Sequence, residues 1–487
     1  MHSGTGLLEQ ASGAAAAPRR DGHPRTGATT AWAIGITGAA QFMASLDNLV
    51  VTMALPVIRE RLHAGIAGLE WTVNAYTLTF AVLLLGGAAL GDRFGRRKMF
   101  LVGIALFTIA SAASALAPNI GVLIAARAAQ GAGGALIVPL SLTLLSASVP
   151  ASKKNLALGI WGALGGLAVA LGPLVGGAVV QGLSWQFIFW LNVPIGLALL
   201  PAARARLGES RGTPRRLDLP GLATASLGLF GVVLALVRGG SAGWGSTEVL
   251  ASLFGGLLLL GLFVAIERRA AAPMLTLGLF RRRQFAVVNV VAMFMSFGMF
   301  GSIFLLAQFL QTVQHYSPLE AGLKTLPWTG MPVLVAPLAG VLVERLGGRL
   351  LIGVGLTLQA AGLAWMAAII SPSTPYLSFV PAFVLSGVGM ALFFVPVASL
   401  VLGSVRPDQE GIASGTNNAL RELGGVFGVS VLAAVFSATG SYASGTAFTA
   451  GLVPAVWTGA AVVAVGALAT LLLPAHRRRL APAGDGA

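Results

Sequence analysis

Apolar residues fill this chain in blocks of about twenty, and polar residues collect in the short gaps between them. A helix needs about that length to cross the roughly 30 Å hydrocarbon core of a bilayer. Fourteen blocks are predicted to be membrane-spanning helices. They lie near 31–57, 71–91, 99–117, 120–147, 156–180, 186–203, 219–237, 248–266, 285–311, 322–343, 350–370, 377–403, 411–437 and 451–473. None shows the apolar–polar alternation over about ten residues that a membrane β-barrel strand requires. The chain therefore reads as an all-α polytopic membrane protein, because a helix satisfies its own backbone where no water is present. The first block is too long and too late for a cleaved leader. Residues 1–28 read as a disordered tail and 474–487 as a second tail.

Charge orients this ladder. Only 10% of the residues are charged, against about 25% in soluble proteins. If the amino terminus is cytoplasmic, the tails and the loops after even-numbered spans hold 25 of the 31 Lys and Arg. The opposite loops and their edges hold Arg59, Arg61, Arg238 and Lys324, while Arg127 and Arg421 fall inside spans. The positive-inside rule then predicts a multi-pass cell-membrane protein with both termini cytoplasmic. The richness in Ala, Gly, Arg and Pro points to a bacterial source.

The net charge of +15 is spread over short loops, so no nucleic-acid surface is expected. There is no cysteine, and His2, His23, His63, His315 and His476 never pair at ligand spacing, so neither thiol chemistry nor a metal centre is expected. The loops are too short and the carboxylates too few for a membrane-embedded enzyme. No Gly-x-x-x-x-Gly-Lys-Ser/Thr loop is present to bind ATP. The expectation is a protein that is not an enzyme and has no cofactor, with an ion gradient as its energy source.

The candidate chemistry sits where charge interrupts the spans. Asp47, in Ser45-Leu-Asp-Asn-Leu-Val-Val51, is a carboxylate in an apolar helix, which costs several kcal/mol unless it is paired or protonated. Arg127 and Gln130 share one face of the fourth span. Arg127 cannot shed its charge and needs a polar cavity or a carboxylate; the spacing leaves open whether that carboxylate is Asp47. In the fifth span, Gly172-Pro173-Leu-Val-Gly176-Gly177 combines close helix packing with a kink. In the thirteenth, Asn418, Arg421 and Glu422 form a polar patch, with Arg421–Glu422 a candidate intramembrane ion pair. Trp328 beside Pro327 marks a bent tenth span and a candidate cavity wall. The turn Gly87–Lys98 contains Asp92-Arg93-Phe94-Gly95-Arg96-Arg97, and Glu344-Arg345-Leu346-Gly347 repeats its core after the tenth span. A parallel repeat of this kind is expected in transporters whose halves rock about a midplane site.

These stretches resemble the drug:proton antiporter branch of the major facilitator superfamily. Leu90, Asp92, Arg93, Gly95, Arg96 and Arg97 match the family's loop signature, with Ala88 in place of its leading glycine. Ser45–Pro56, Leu123–Gly133, Gly172–Gly177 and Trp185–Gly196 resemble further antiporter motifs, with Asn48-Leu49 and Gln186 as departures. Glu422 stands where a glutamine is more usual. The resemblance covers about residues 30–475. It implies the major facilitator fold: a six-helix half at 29–203, two inserted helices at 204–284 and a second half at 285–473. It also implies a proton-coupled exporter of lipophilic drugs or antibiotics from the cytoplasm or inner leaflet, with partners limited to such a small molecule, protons and lipids, and a functional monomer. Asp47 and Arg127 would couple the proton, and Asp92, Arg93, Gly95, Arg96 and Arg97 would gate. Gly172, Pro173, Gly176 and Gly177 would carry the antiporter signature. Gln130, Trp328, Asn418, Arg421 and Glu422 are the candidate cavity residues. Export of one endogenous metabolite, antibiotic or lipid is the alternative.

Overall fold

The structure, a computed structural model, describes residues 27–211, 218–270, 273–406 and 409–474. The predicted tail 1–28 falls almost wholly outside the described residues, and the tail 474–487 has only Pro474 within them. The helices that can span a membrane are α1 (Thr30–Arg61), α2 (Ile66–Phe94), α3 (Arg96–Ala115), α4 (Ile120–Ser148), α5 (Leu156–Gly182), α6 (Phe187–Arg206) and α7 (Leu219–Gly240). They continue with α8 (Thr247–Glu267), α9 (Arg283–Thr312), α10 (Pro318–Leu346), α11 (Gly348–Ile369), α12 (Tyr376–Gly403), α13 (Glu410–Thr439) and α14 (Gly445–Leu472). Among the described residues thirteen are continuous enough to count alone, and α2, bent between Leu84 and Gly86, makes the fourteenth. α6 turns at Leu191 and α10 breaks at Gly330.

Several helix amino termini are capped by local side chains. Asn119, Asp218, Ser246 and Ser444 accept the first free backbone N–H groups of α4, α7, α8 and α14. Ser317 and Glu320 form a reciprocal capping box on α10.

Helices α1–α6 pack among themselves, as do α9–α14, and three seams join the two groups: α1 with α9, α2 with α13, and α5 with α10. The hairpin α7–α8 packs along the α2–α13 seam. Short loops make successive helices antiparallel. The loops after even-numbered helices share one face, here called the basic face, and the other loops share the opposite face.

The two repeated turns share an unusual backbone. Gly95 (φ 107°, ψ 127°) links α2 to α3, and Gly347 (φ 82°, ψ 149°) links α10 to α11. An L side chain at such a φ is strained, so each one-residue link between helices requires glycine.

Toward the opposite face the seams are shut. Gly177 leaves room for the backbone of Pro318, and Gly322 for that of Pro173. The Leu319 N–H donates to Gln181 Oε1 at 3.1 Å, Gln311 Nε2 to Met53 O at 3.1 Å, and Asn74 Nδ2 to Ser430 Oγ at 2.9 Å. Above them the Arg59 guanidinium lies 3.9 Å from the ring centre of Tyr442, whose hydroxyl donates to Gln308 Oε1. Burial pushes the Tyr442 hydroxyl well above the usual phenol range, against the pull of Arg59.

Candidate functional site

Three glycines build the charged centre. A Cβ at Gly131 would strike the Tyr76 backbone, one at Gly133 the Phe107 backbone, and one at Gly134 the Tyr76 hydroxyl and Phe80. Helix α4 can therefore lie directly on α2 and α3. That approach sets the Arg127 guanidinium 4.4 Å from the Tyr76 ring centre and 5.7 Å from that of Phe189. Such faces attract a desolvated cation.

Asp47 is the hub. Its Oδ2 accepts from Arg127 Nη1, and its Oδ1 accepts from Gln130 Nε2 at 2.8 Å and Asn192 Nδ2 at 2.7 Å. Arg127 Nη1 also donates to Gln130 Oε1 at 2.7 Å, and its Nε to Thr72 O at 3.2 Å. Ser111 Oγ accepts from both Gln130 and Asn192. Asp47 is 2% exposed and Arg127 and Gln130 are 0% exposed, so the pair is dry. The contact left open by the spacing is made. Five helices supply the groups: α1, α2, α3, α4 and α6. The carboxylate thus receives three donors, one of them a cation that cannot shed its charge. Adding a proton to it would release Arg127 from its ion pair, and this is a chemical means of linking one proton to a change in packing.

Gln130 was a candidate for the cavity, and the structure places it here instead, with both ends of its amide occupied. Asn192 and Ser111 are the participants that charge patterning missed. Both are uncharged, and Asn192 stands among tryptophans that suit an interfacial belt.

The second polar patch lies across the seam. Arg421 Nη2 is 3.7 Å from Glu422 Oε1, and its guanidinium lies 5.4 Å from the Phe394 ring centre. Asn417 Nδ2 donates to Asn289 Oδ1 at 3.1 Å. Phe393, Phe394, Asn417, Asn418 and Arg421 line a pocket of about 100 Å³. Glu422 is buried, and its Oε2 has no hydrogen-bond partner. Trp328 is not on this pocket: it is 1% exposed and stacks on Phe383 at 6.1 Å. Helix α9 packs on α13 through Phe297 and Phe300, which meet Gly428 and Gly425. Glu70, just outside the predicted second span, is a further buried carboxylate with Oε2 unpartnered.

The loop of Asp92–Arg97 closes on itself and on the segment after α6. Asp92 Oδ1 accepts from Arg96 Nε at 2.8 Å. Glu209 accepts the backbone N–H groups of Arg97 (3.0 Å) and Lys98 (3.2 Å), a carboxylate at the positive end of α3. Arg96 N donates to Ser210 O, and Arg97 Nη1 donates to Leu207 O. Arg93 is exposed beside Phe94. Gly172 and Gly176 bring α5 onto Leu49 and Val50 of α1, close to Asp47 in sequence, while Gly177 and Pro173 face α10. Among the described residues no group of three or more His, Asp or Glu is placed to hold a metal ion.

The Major Facilitator Superfamily model matches residues 37–429. The cephamycin export protein CmcT of Amycolatopsis lactamdurans is 38% identical over 428 residues, 86% of each chain. The multidrug resistance protein Stp of Mycobacterium tuberculosis is 37% identical over 404 residues, 82% of this chain and 75% of that one. The tetracenomycin C resistance and export protein of Streptomyces glaucescens is 35% identical over 392 residues, 80% of this chain and 73% of that one. Among solved structures, a bacterial homologue of the human lysosomal transporter Spinster, inward-facing and unoccupied, superposes with a TM-score of 0.65 at 16% identity, covering 92% of this chain and 98% of that one. That likeness concerns the fold alone. With a family match across most of its length and these relatives beside it, the chain belongs to the major facilitator superfamily and is a multi-pass membrane transporter, not an enzyme.

Proposed function

We propose that this protein is a proton-coupled antiporter that exports lipophilic drugs or antibiotics across a bacterial cell membrane by alternating access. The observation that carries the reading is the dry cluster of Asp47, Arg127, Gln130 and Asn192. Export is supported by the printed names of the relatives, which are resistance and export proteins for a multidrug set, cephamycin and tetracenomycin C. The basic face is cytoplasmic in this reading, both termini included, and the chain works as a monomer with two six-helix halves, 29–203 and 285–473.

In the cycle, cargo binds between the halves from the basic face, near Asn418, Arg421 and Glu422. The loop of Asp92, Arg93, Gly95, Arg96 and Arg97 loosens, and the α5 stretch Gly172-Pro173 to Gly176-Gly177 re-packs as the opposite face opens. Asp47 then takes a proton and Arg127 loses its ion pair. Cargo leaves, the opposite face closes as in the present structure, and Asp47 returns the proton to the cytoplasm. No cofactor takes part.

The test is uptake of a fluorescent lipophilic dye into inverted vesicles under an inward-acidic gradient. Accumulation should depend on the gradient and vanish in Asp47→Asn, with the variant still inserted. Gradient-driven accumulation by Asp47→Asn at the wild-type rate would refute the assignment. Two of the relatives are named for a single antibiotic, which supports a second reading, a dedicated exporter of one compound. A screen in which only one compound of many dissipates the proton gradient would favour it.

A further inference from the structure

We propose that a groove on the outer side of the α9–α14 group is a binding site for one anionic phospholipid. Its phosphate is held by Arg349 at the start of α11, and its acyl chain lies between α11 and α14. Both helices pack within their own group, α11 on α12 and α14, and α14 on α9, α11 and α13. The site is therefore apart from the Asp47 cluster and from the three seams, and it does not depend on the export reading.

The groove holds about 560 Å³. Gly353 and Thr470 form its floor: a Cβ on Gly353 would come within 3.0 Å of Thr470 Oγ1, so α11 touches α14 here. The walls are two apolar stripes, Leu350, Val354 and Leu358 of α11 and Leu468 and Leu471 of α14. Residues three or four apart share a helix face. Leu350 is 52% exposed, Leu468 66% and Leu471 63%. In a membrane span such side chains meet acyl chains. From Arg349 to Leu358 the groove is about 14 Å long at 1.5 Å per residue. That is the depth of one leaflet of a ~30 Å core, the depth that one phospholipid occupies.

Charge selects the kind of lipid. Arg349 lines the groove at its basic-face end. It is half-buried, and among the described residues it has neither an ion pair nor a hydrogen bond. It opens α11, where the helix dipole disfavours a cation and favours an anion. No carboxylate stands in that first turn, and no side chain caps it. A guanidinium forks onto phosphate oxygens. A basic group at the mouth of a cleft between membrane helices recognises anionic headgroups by this chemistry.

The other half of the molecule shows what Arg349 lacks. There Gly95 leads into α3, and Glu209, three residues after α6, accepts the N–H groups of Arg97 and Lys98. In the repeat Gly347 leads into α11, and Arg349 follows Gly347 by two residues as Arg97 follows Gly95. Helix α14 takes the place of α6. The sequence after it reads Pro474-Ala-His-Arg-Arg-Arg479, with no carboxylate before Asp485. The second half thus has the same turn and the same arginine without the neighbouring carboxylate, and a lipid phosphate takes its place. A lipid bound there holds the Gly347 turn as Glu209 holds the Gly95 turn.

The chain has no cysteine, so a single-cysteine variant of the full protein carries one label at one place. Thr357→Cys on α11 and, separately, Leu468→Cys on α14 put bimane on the two walls. Each is reconstituted in dioleoylphosphatidylcholine with rising fractions of dibrominated phosphatidylglycerol, or of dibrominated phosphatidylcholine in its place. The brominated phosphatidylglycerol should reach half-maximal quenching at a mole fraction about five-fold lower. Arg349→Gln should abolish that preference, while Arg269→Gln, at an exposed position just after α8, should keep it. Equal quenching by the two brominated lipids would overturn the proposal, as would a preference that survives Arg349→Gln. Loss of the preference in Arg269→Gln as well would trace it to diffuse surface charge and overturn it too.

Discussion

The Asp47–Arg127 pair makes an asymmetric prediction. Replacing Asp47 by Leu leaves a guanidinium, 0% exposed, with only Thr72 O, Gln130 Oε1 and two aromatic faces for company. It cannot shed its charge, and an orphaned buried ion costs about 3–5 kcal/mol. Replacing Arg127 by Leu is milder. Asp47 keeps the amides of Gln130 and Asn192 and loses one charge-assisted bond, worth about 1.5–3 kcal/mol. The expected gap between the two variants is about 2 kcal/mol, or roughly 30-fold in the unfolding equilibrium.

The assay is denaturant unfolding of the purified protein in detergent, followed by the fluorescence of its nine tryptophans. The expected order is wild type, then Arg127→Leu, then Asp47→Leu. The double variant should be more stable than Asp47→Leu because the stranded cation is gone. A reversed order, or a double variant no better than Asp47→Leu, would refute the reasoning.

Three further outcomes are expected. Gly95→Ala should slow vesicle flux while leaving equilibrium dye binding intact: its φ of 107° costs an L residue about 1–2 kcal/mol, and the methyl would press on the Glu209 carboxylate. Asn192→Ala removes one of two amide donors to Asp47 Oδ1 and should reduce gradient-driven uptake less than Asp47→Asn does; an equal loss would show that Asn192 does more than hold the carboxylate. Gly177→Val should wedge α5 from the Pro318 backbone. Read in a Ser430→Cys background, it should raise labelling by an impermeant maleimide from the opposite face, and unchanged labelling would count against this seam as a gate.

The helices were legible because lipid imposes a length and an apolar content that few other constraints can mask. Asp47 and Arg127 were legible for the same reason, as charges with no business in an apolar helix unless something answers them. Their contact was not legible, since spacing along the chain says nothing of how α1 and α4 turn toward each other. Asn192 and Ser111 escaped because a neutral hydrogen-bonding side chain is unremarked in a span until a charge is found beside it. Glu70 escaped through a boundary one residue too late, and Glu209 because a basic loop drew attention to its arginines. Pro327 did mark the bend in α10, and the break falls just after it at Gly330.

All members of the Asp47 cluster sit on helices of one six-helix group, so a rigid rotation of that group against the other leaves every distance in the cluster unchanged. Evolution can then treat the two groups separately. Under the proposed function, residues of α9–α14 assigned to the cargo, Arg421 and Asn418 among them, are free to vary without rebuilding the electrostatics around Asp47. A new specificity can be acquired by drift in one half of the molecule while the other half is inherited whole.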